Sequence, residues 1–177
     1  FSPSIIQFRE DKNFNQGIRG ASSWGPCSFE PTHTDLVWYG VHAVETLYTA
    51  MGRGCQAVSR TDNGDVMVVG QWPSGRTGTM RGIRAGKTDY GLVVFGEKQI
   101  TVGGKYEGYA GLVDRIAAFF LGGPAPVEPA ETIEMFVFMQ AADASREAGG
   151  TTVQLADVLQ VHQQLAHEKL QKLQPVP

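Results

Sequence analysis

The chain has 177 residues, a formal net charge of −3, and a composition in which 42% of the residues are hydrophobic. A chain of this length buries roughly 70% of its extended surface, so one compact domain with its own core is predicted. The acidic balance and the scattered basic residues argue against a nucleic-acid partner, and no apolar run reaches the length of a membrane span. Cys27 and Cys55 stand in no metal-binding spacing, and we expect both to be small buried side chains.

The first half of the chain is predicted to form a strand and then a helix. Residues 14–24 contain small side chains that suit close backbone approach, so they indicate an opening strand. After a loop that reaches Thr34, apolar periodicity predicts a helix over residues 41–51. Gly52 and Gly54 follow this segment, and glycine favours the left-handed conformation that ends a helix.

The predicted helix carries the clearest candidate for chemistry. His42 and Glu45 are three residues apart and therefore fall on one helix face, with Thr49 in the same arc. A histidine beside a carboxylate can gain or lose a proton near neutral pH, as general acid-base catalysis requires. The alternative is a structural histidine that is hydrogen-bonded within the core.

Residues 55–103 are predicted to form an antiparallel meander, because Asp62-Asn63-Gly64 and Pro73-Ser74-Gly75 are strong turn signals. The predicted strands are 56–60, 65–72, 77–84, 90–95 and 100–102. The strand over 65–72 is apolar on both faces, so we expect it to be central and covered on both sides. Four basic residues of this region are expected to be paired or solvated, and they are Arg76, Arg81, Arg84 and Lys87. For Arg76 and Arg81 the alternative is contact with a substrate carboxylate or phosphate.

Three helices are predicted in the last third of the chain. Residues 107–121 carry an apolar stripe of Leu112, Val113, Ile116 and Phe120, and residues 131–148 begin with an apolar half that indicates deep burial. A third helix is predicted over residues 155–173, where His162 is expected to be partly buried. The fold class is therefore α+β, with a predominantly antiparallel sheet and several packed helices. Such a sheet with an apolar open face predicts at least a dimer.

Four segments carry a family resemblance that covers essentially the whole chain, and they are residues 36–45, 72–78, 90–98 and 138–145. Together they resemble the C-terminal domain of the Gfo/Idh/MocA oxidoreductases, the family of glucose-fructose oxidoreductase and inositol dehydrogenase. The resemblance implies an α+β domain with an open, predominantly antiparallel sheet and helices on one face, like the C-terminal domains of dihydrodipicolinate reductase and glyceraldehyde-3-phosphate dehydrogenase. It also implies a role in binding a sugar, cyclitol or related polyol and in forming a homo-oligomer.

Members of this family bind NAD or NADP on an N-terminal Rossmann domain, which also carries a catalytic lysine in a Glu-Lys-Pro motif. No Gly-x-Gly-x-x-Gly motif follows a predicted strand near the start of this chain. We therefore expect residues 1–177 to be a single substrate-binding domain without its Rossmann partner, ending in a helical tail over 155–177. Such a chain is expected to have little activity and no tight binding of a nicotinamide cofactor.

The resemblance implies roles for four residues of the 36–45 segment. His42 matches the histidine that acts beside the lysine as proton donor or acceptor at the substrate hydroxyl. Glu45 stands where many members carry aspartate, so it is expected to orient the imidazole or contact a substrate hydroxyl. Trp38 stands where many members have an acid, and Trp38 and Tyr39 are candidates for stacking on a sugar face, with core packing as the alternative.

Two other functions are compatible with the sequence. The first is a non-catalytic interaction module that pairs through its sheet face, with His42 as a structural residue. The second is a metal-dependent sugar isomerase or lyase that uses His33, Asp35 and His42, because imidazole and carboxylate both bind zinc or manganese. Their spacing matches no familiar set of metal ligands.

Overall fold

The structure, a computed structural model, describes residues 1–10, 17–104 and 106–173. The helices within these residues are α1 (Pro3–Glu10), α2 (Asp35–Trp38), α3 (Val41–Met51), α4 (Ala110–Phe120), α5 (Pro129–Glu147) and α6 (Leu155–Lys172). The strands are β1 (Ile18–Pro26), β2 (Ala57–Asn63), β3 (Asp65–Trp72), β4 (Arg76–Ile83), β5 (Gly91–Gly96), β6 (Ile100–Gly103) and β7 (Val153–Gln154). Residues 14–16 of the predicted first strand and the last residues of the predicted tail, 174–177, lie outside the described part. No helix of the described part is long and apolar enough to cross a membrane.

The strands form one open sheet in the order β6-β5-β1-β4-β3-β2-β7. Neighbouring strands are antiparallel except for β1 and β4, which pair in parallel from Gly20 opposite Thr77 to Pro26 opposite Ile83. The predicted meander is therefore wrong at one point, because β1 separates β4 from β5. The predicted fold class, an open and predominantly antiparallel α+β sheet, is confirmed.

Helices α3 and α5 cover one face of the sheet, and the core lies between them and the strands. Its centre is an aromatic cluster in which the ring of Tyr48 lies 5.7 Å from Trp72 and 5.7 Å from Phe138. The opposite face of β3 is only partly covered, since Met67 and Val69 are half-buried and Gln71 is exposed. We expected β3 to be covered on both faces, but within the described residues only the face toward α3 and α5 is fully covered.

The helix predictions differ in how well they describe burial. Helix α3 has the predicted bounds, and it ends at Gly52, whose φ of 69° places it in the left-handed region. Helix α4 forms within its predicted range but buries none of its residues. Helix α6 buries only Leu155, and His162, predicted to be partly buried, is exposed, because this helix packs only through its first turns. Both cysteines are free and buried, as predicted.

A buried ion cluster, which we define as Asp35, Arg60, Arg84, Asp143 and Arg146, fixes the start of the segment that leads to α3. The guanidinium of Arg60 has no exposed surface and donates hydrogen bonds of 2.5 Å to both Asp35 and Asp143. Asp35 also accepts hydrogen bonds from Arg84 at 2.6 Å and from Arg146 at 3.0 Å. Burial alone would raise the pKa of Asp35, but the hydrogen bonds from Arg84 and Arg60 outweigh it and hold that pKa below its usual value.

Candidate functional site

An open cleft of about 500 Å³ lies beside α3, between α1, the end of α5 nearest α4 and the loops at the edge of the sheet. Its lining includes polar groups of α3, tyrosines of three loops and an ion pair, and these residues are Arg9, Tyr39, His42, Glu45, Thr49, Tyr90, Tyr106, Tyr109 and Glu131. A cleft of this size lined by apolar and aromatic side chains with a few polar groups is typical of a small-molecule site.

The His42 and Glu45 side chains form the polar centre of this cleft. The predicted shared face is confirmed, because Nδ1 of His42 lies 2.9 Å from Oε2 of Glu45. Both side chains are about half exposed, at 49% and 51%, so a ligand in the cleft can reach them. The hydrogen bond to Glu45 raises the pKa of His42 above its ordinary value of 6.5, against a smaller opposing effect of burial.

The geometry determines which nitrogen of the neutral His42 imidazole carries the proton. A carboxylate only accepts hydrogen bonds, so Nδ1 of His42 donates to Glu45 and the lone pair of the neutral ring resides on Nε2. That nitrogen is then the group that can take a proton from a ligand hydroxyl. Thr49 adds a hydroxyl one turn along the helix, where it donates to the Glu45 carbonyl at 2.8 Å.

Two tyrosine rings pack against His42. The Tyr39 ring meets the imidazole edge-on with centroids 5.5 Å apart, and the Tyr90 ring does so at 6.2 Å. Gly25 makes room for Tyr90, because a Cβ at this position would lie 3.0 Å from the tyrosine ring. Burial raises the pKa of Tyr90 to about 12, and the nearby Tyr39 phenol adds to this effect. Tyr90 is therefore neutral at physiological pH.

Trp38 is placed differently from the other candidate residues. Its side chain is 44% exposed and its ring lies 4.6 Å from that of His33, so it faces the loop before α2. Tyr39, His42 and Glu45 line the cleft, whereas Trp38 does not contribute to its lining. The structure therefore brings three of the four predicted site residues together, and a role for Trp38 in stacking on substrate remains a prediction.

Sequence reasoning missed several groups of the cleft. Arg9 of α1 is bonded to Glu131 of α5, and this ion pair contributes to the lining of the cleft. Tyr106 and Tyr109 come from the segment between β6 and α4. No local pattern links these positions to His42, because they meet only after β5 and β6 pair. An exposed run of tyrosines in a glycine-rich loop was the one available signal.

The metal-site alternative receives no support from the positions of its residues. Asp35 belongs to the buried ion cluster, where arginines occupy its oxygens, and His33 stacks on Trp38. Among the described residues, no group of three or more histidine, cysteine or acidic side chains is placed to hold a metal ion. The arginines of the sheet are paired as predicted, since Arg81 bonds Asp65 at 2.8 Å and Arg76 bonds the Met51 carbonyl at 3.1 Å.

No family model and no curated protein sequence matches the chain. Solved structures do match it. Myo-inositol 2-dehydrogenase from Lactobacillus plantarum has a TM-score of 0.69 and 12% identity, and the match covers 86% of this chain and 62% of that one. Myo-inositol dehydrogenase from Lactobacillus casei, in complex with NAD(H) and myo-inositol, has a TM-score of 0.66 and 11% identity, and the match covers 87% of this chain and 59% of that one. Scyllo-inositol dehydrogenase from Lactobacillus casei, with bound NAD(H) and scyllo-inositol, has a TM-score of 0.65 and 9% identity, and the match covers 88% of this chain and 62% of that one.

At this level of identity the likeness shows the fold. The chain has the fold of the C-terminal part of the Gfo/Idh/MocA dehydrogenases, as the sequence resemblance implied. It spans about 60% of the length of the solved structures that it matches.

Proposed function

We propose that the chain is the substrate-binding and oligomerisation domain of an NAD(P)-dependent oxidoreductase that acts on a sugar, cyclitol or related polyol. The observation that carries the proposal is the His42–Glu45 pair, with Nδ1 and Oε2 2.9 Å apart in an open cleft. Oxidation of a CH–OH group moves hydride to nicotinamide and leaves a hydroxyl proton. His42 Nε2 accepts that proton as the C=O bond forms, and Glu45 stabilises the resulting imidazolium. The inositol dehydrogenases with the same fold support this substrate class.

We place the cofactor on a second domain that closes the cleft from the side of α4. This helix is apolar but exposed, with Leu112, Ile116, Phe119 and Phe120 between 37% and 79% accessible. An apolar surface of this extent is typical of an interface. Leu112 also lines the cleft, so a domain docked on α4 lies next to His42. The isolated chain then holds one wall of the active site and has little activity.

This division of roles predicts that the isolated chain binds NAD(H) weakly or not at all, whereas the polypeptide encoded by the complete reading frame binds it. The reason is that the sequence contains no Gly-x-Gly-x-x-Gly motif, the turn between a strand and a helix that usually holds the pyrophosphate of a dinucleotide. Isothermal titration calorimetry of both proteins with NADH and NADPH measures the difference and selects the cofactor. Tight binding of either nucleotide to the isolated chain would contradict the proposal.

The open face of the sheet is proposed to join copies of this chain. The register places Met67, Val69, Val93, Phe95 and Trp24 on this face, and none of them is fully buried. We expect at least a dimer in light scattering, because pairing two such faces removes their apolar surface from water. A monomer would contradict the expectation. The same observation is what favours the second candidate function, a non-catalytic module that pairs through its sheet.

A further inference from the structure

A row of tyrosines leads away from the His42–Glu45 pair toward solvent. We define the tyrosine row as Tyr39, Tyr90, Tyr106 and Tyr109. Beyond the two rings that flank His42, the Tyr90 and Tyr106 centroids are 6.5 Å apart and the Tyr106 and Tyr109 centroids are 5.8 Å apart. All four rings line the same cleft. The row is therefore a continuous aromatic wall that begins at the imidazole and continues past it.

The outer half of the row is not part of the hydrophobic core. Tyr106 is 50% exposed and Tyr109 is 69% exposed, so burial does not explain why two large aromatic side chains stand here. Their segment is nevertheless anchored, because the Glu107 carboxylate accepts hydrogen bonds from the Ser4 amide at 2.9 Å and from its hydroxyl at 2.7 Å. The segment that carries the two rings is thus tied to α1, while the ring surfaces stay accessible.

The shape and polarity of this wall match a carbohydrate. Tyrosine offers an apolar face for the C–H surface of a sugar ring and a hydroxyl for its oxygens. In the subsite inferred below, the inner rings and His42 are assigned to one six-membered polyol ring. The outer rings then offer a second platform at a spacing comparable to that of successive rings in a glycoside. The cleft of about 500 Å³ is also larger than one such ring requires.

The charges of the cleft favour a neutral ligand. Among the described lining residues, Arg9 is bonded to Glu131 and His42 is bonded to Glu45, so each cation already has a carboxylate partner. A phosphate or carboxylate would meet Glu45 and Glu131 without an uncommitted cation to offset them.

We propose that Tyr106 and Tyr109 form a second sugar subsite, so that the substrate is a neutral glycoside whose oxidised ring lies at His42 and whose other ring stacks on these two tyrosines. This inference rests on the proposed function, because it assumes that the ring at His42 is the one oxidised. Exposed tyrosines that merely await cover by another domain would show no preference for a second sugar ring.

The test is a set of NMR titrations of the full chain with myo-inositol, with galactosyl-myo-inositol and with an inositol phosphate. We expect the galactoside to bind about tenfold more tightly than myo-inositol, because the second ring stacks on tyrosine, and the phosphate to bind most weakly. The double variant Tyr106→Leu/Tyr109→Leu should lose the preference for the galactoside and retain the affinity for myo-inositol. Phe29→Leu, which changes an exposed aromatic outside this cleft, is the matched control and should keep the preference.

Three results would overturn the subsite: equal affinity for the two neutral ligands, a preference that survives in the double variant, or an equal loss of both ligands in that variant. Its failure can be told apart from failure of the proposed function by assaying NAD⁺ reduction with the polypeptide of the complete reading frame. A galactoside preference without any reduction would leave the subsite and contradict the oxidoreductase. Reduction with myo-inositol and no galactoside preference would contradict the subsite alone.

Discussion

Replacement of Asp35 by asparagine is expected to lower the free energy of unfolding by about 3 kcal/mol, because it removes a carboxylate from a buried ion network. Asp35 is 6% exposed and accepts hydrogen bonds from Arg60, Arg84 and Arg146. Arg60 keeps Asp62 and Asp143 as partners, so we expect the lower part of the range for breaking a buried pair. Urea denaturation followed by circular dichroism measures the change.

The matched control for this variant is Glu97→Gln. Glu97 faces Arg19 at 3.6 Å on the surface, where both side chains are more than half exposed, and exposed pairs contribute little. A loss of less than about 1 kcal/mol in Asp35→Asn would show that the network does not depend on this carboxylate. The pKa of Asp35 is held below its usual 3.8 in the folded chain. The stability that the Asp35 carboxylate contributes is therefore fully present above pH 3.8 and is lost as the pH falls through the lower pKa of the folded chain.

Replacement of His42 by alanine is expected to lower kcat for polyol oxidation by about a hundredfold to ten-thousandfold, the usual contribution of general acid-base catalysis. The assay follows NAD(P)⁺ reduction by the polypeptide encoded by the complete reading frame, with a panel of cyclitols, sugars and their glycosides. Because the imidazole accepts the hydroxyl proton, the loss should appear mainly in kcat. His167→Ala removes an exposed histidine of α6 and should leave turnover unchanged. Unchanged turnover in His42→Ala would instead favour the interaction module.

The parts of the fold that local sequence determines could be predicted. Helix α3 follows from its apolar periodicity and from Gly52, and the β2–β3 hairpin follows from a turn in which Gly64 has a φ of 83°. The His42–Glu45 contact follows from helical geometry alone, because residues three apart share a face. Each of these features depends on residues that are close in the chain.

The features that were missed depend on distant residues. Nothing near β1 indicates that it inserts between β4 and β5, since a parallel pairing has no turn to mark it. Asp35 meets Arg60 of β2, Arg146 of α5 and Arg84, which directly follows β4, so its ion cluster appears only in the assembled fold. The apolar stripes of α4 and α6 were recognised correctly as patterns. A stripe does not say which surface covers it, and within the described residues both remain largely exposed.

The pH dependence of polyol oxidation by the complete polypeptide tests most directly whether His42, tuned by Glu45, transfers the proton. Hydrogen bonding to Glu45 raises the pKa of His42 above 6.5, and only the neutral imidazole accepts a proton. We predict that kcat/KM falls as the pH drops below this raised pKa. In the Glu45→Gln variant this acidic fall of kcat/KM, the acidic limb of the profile, should move to lower pH, in step with the His42 pKa that NMR measures. A limb that stays in place while the NMR pKa moves would contradict the account, as would the absence of any polyol-dependent reduction.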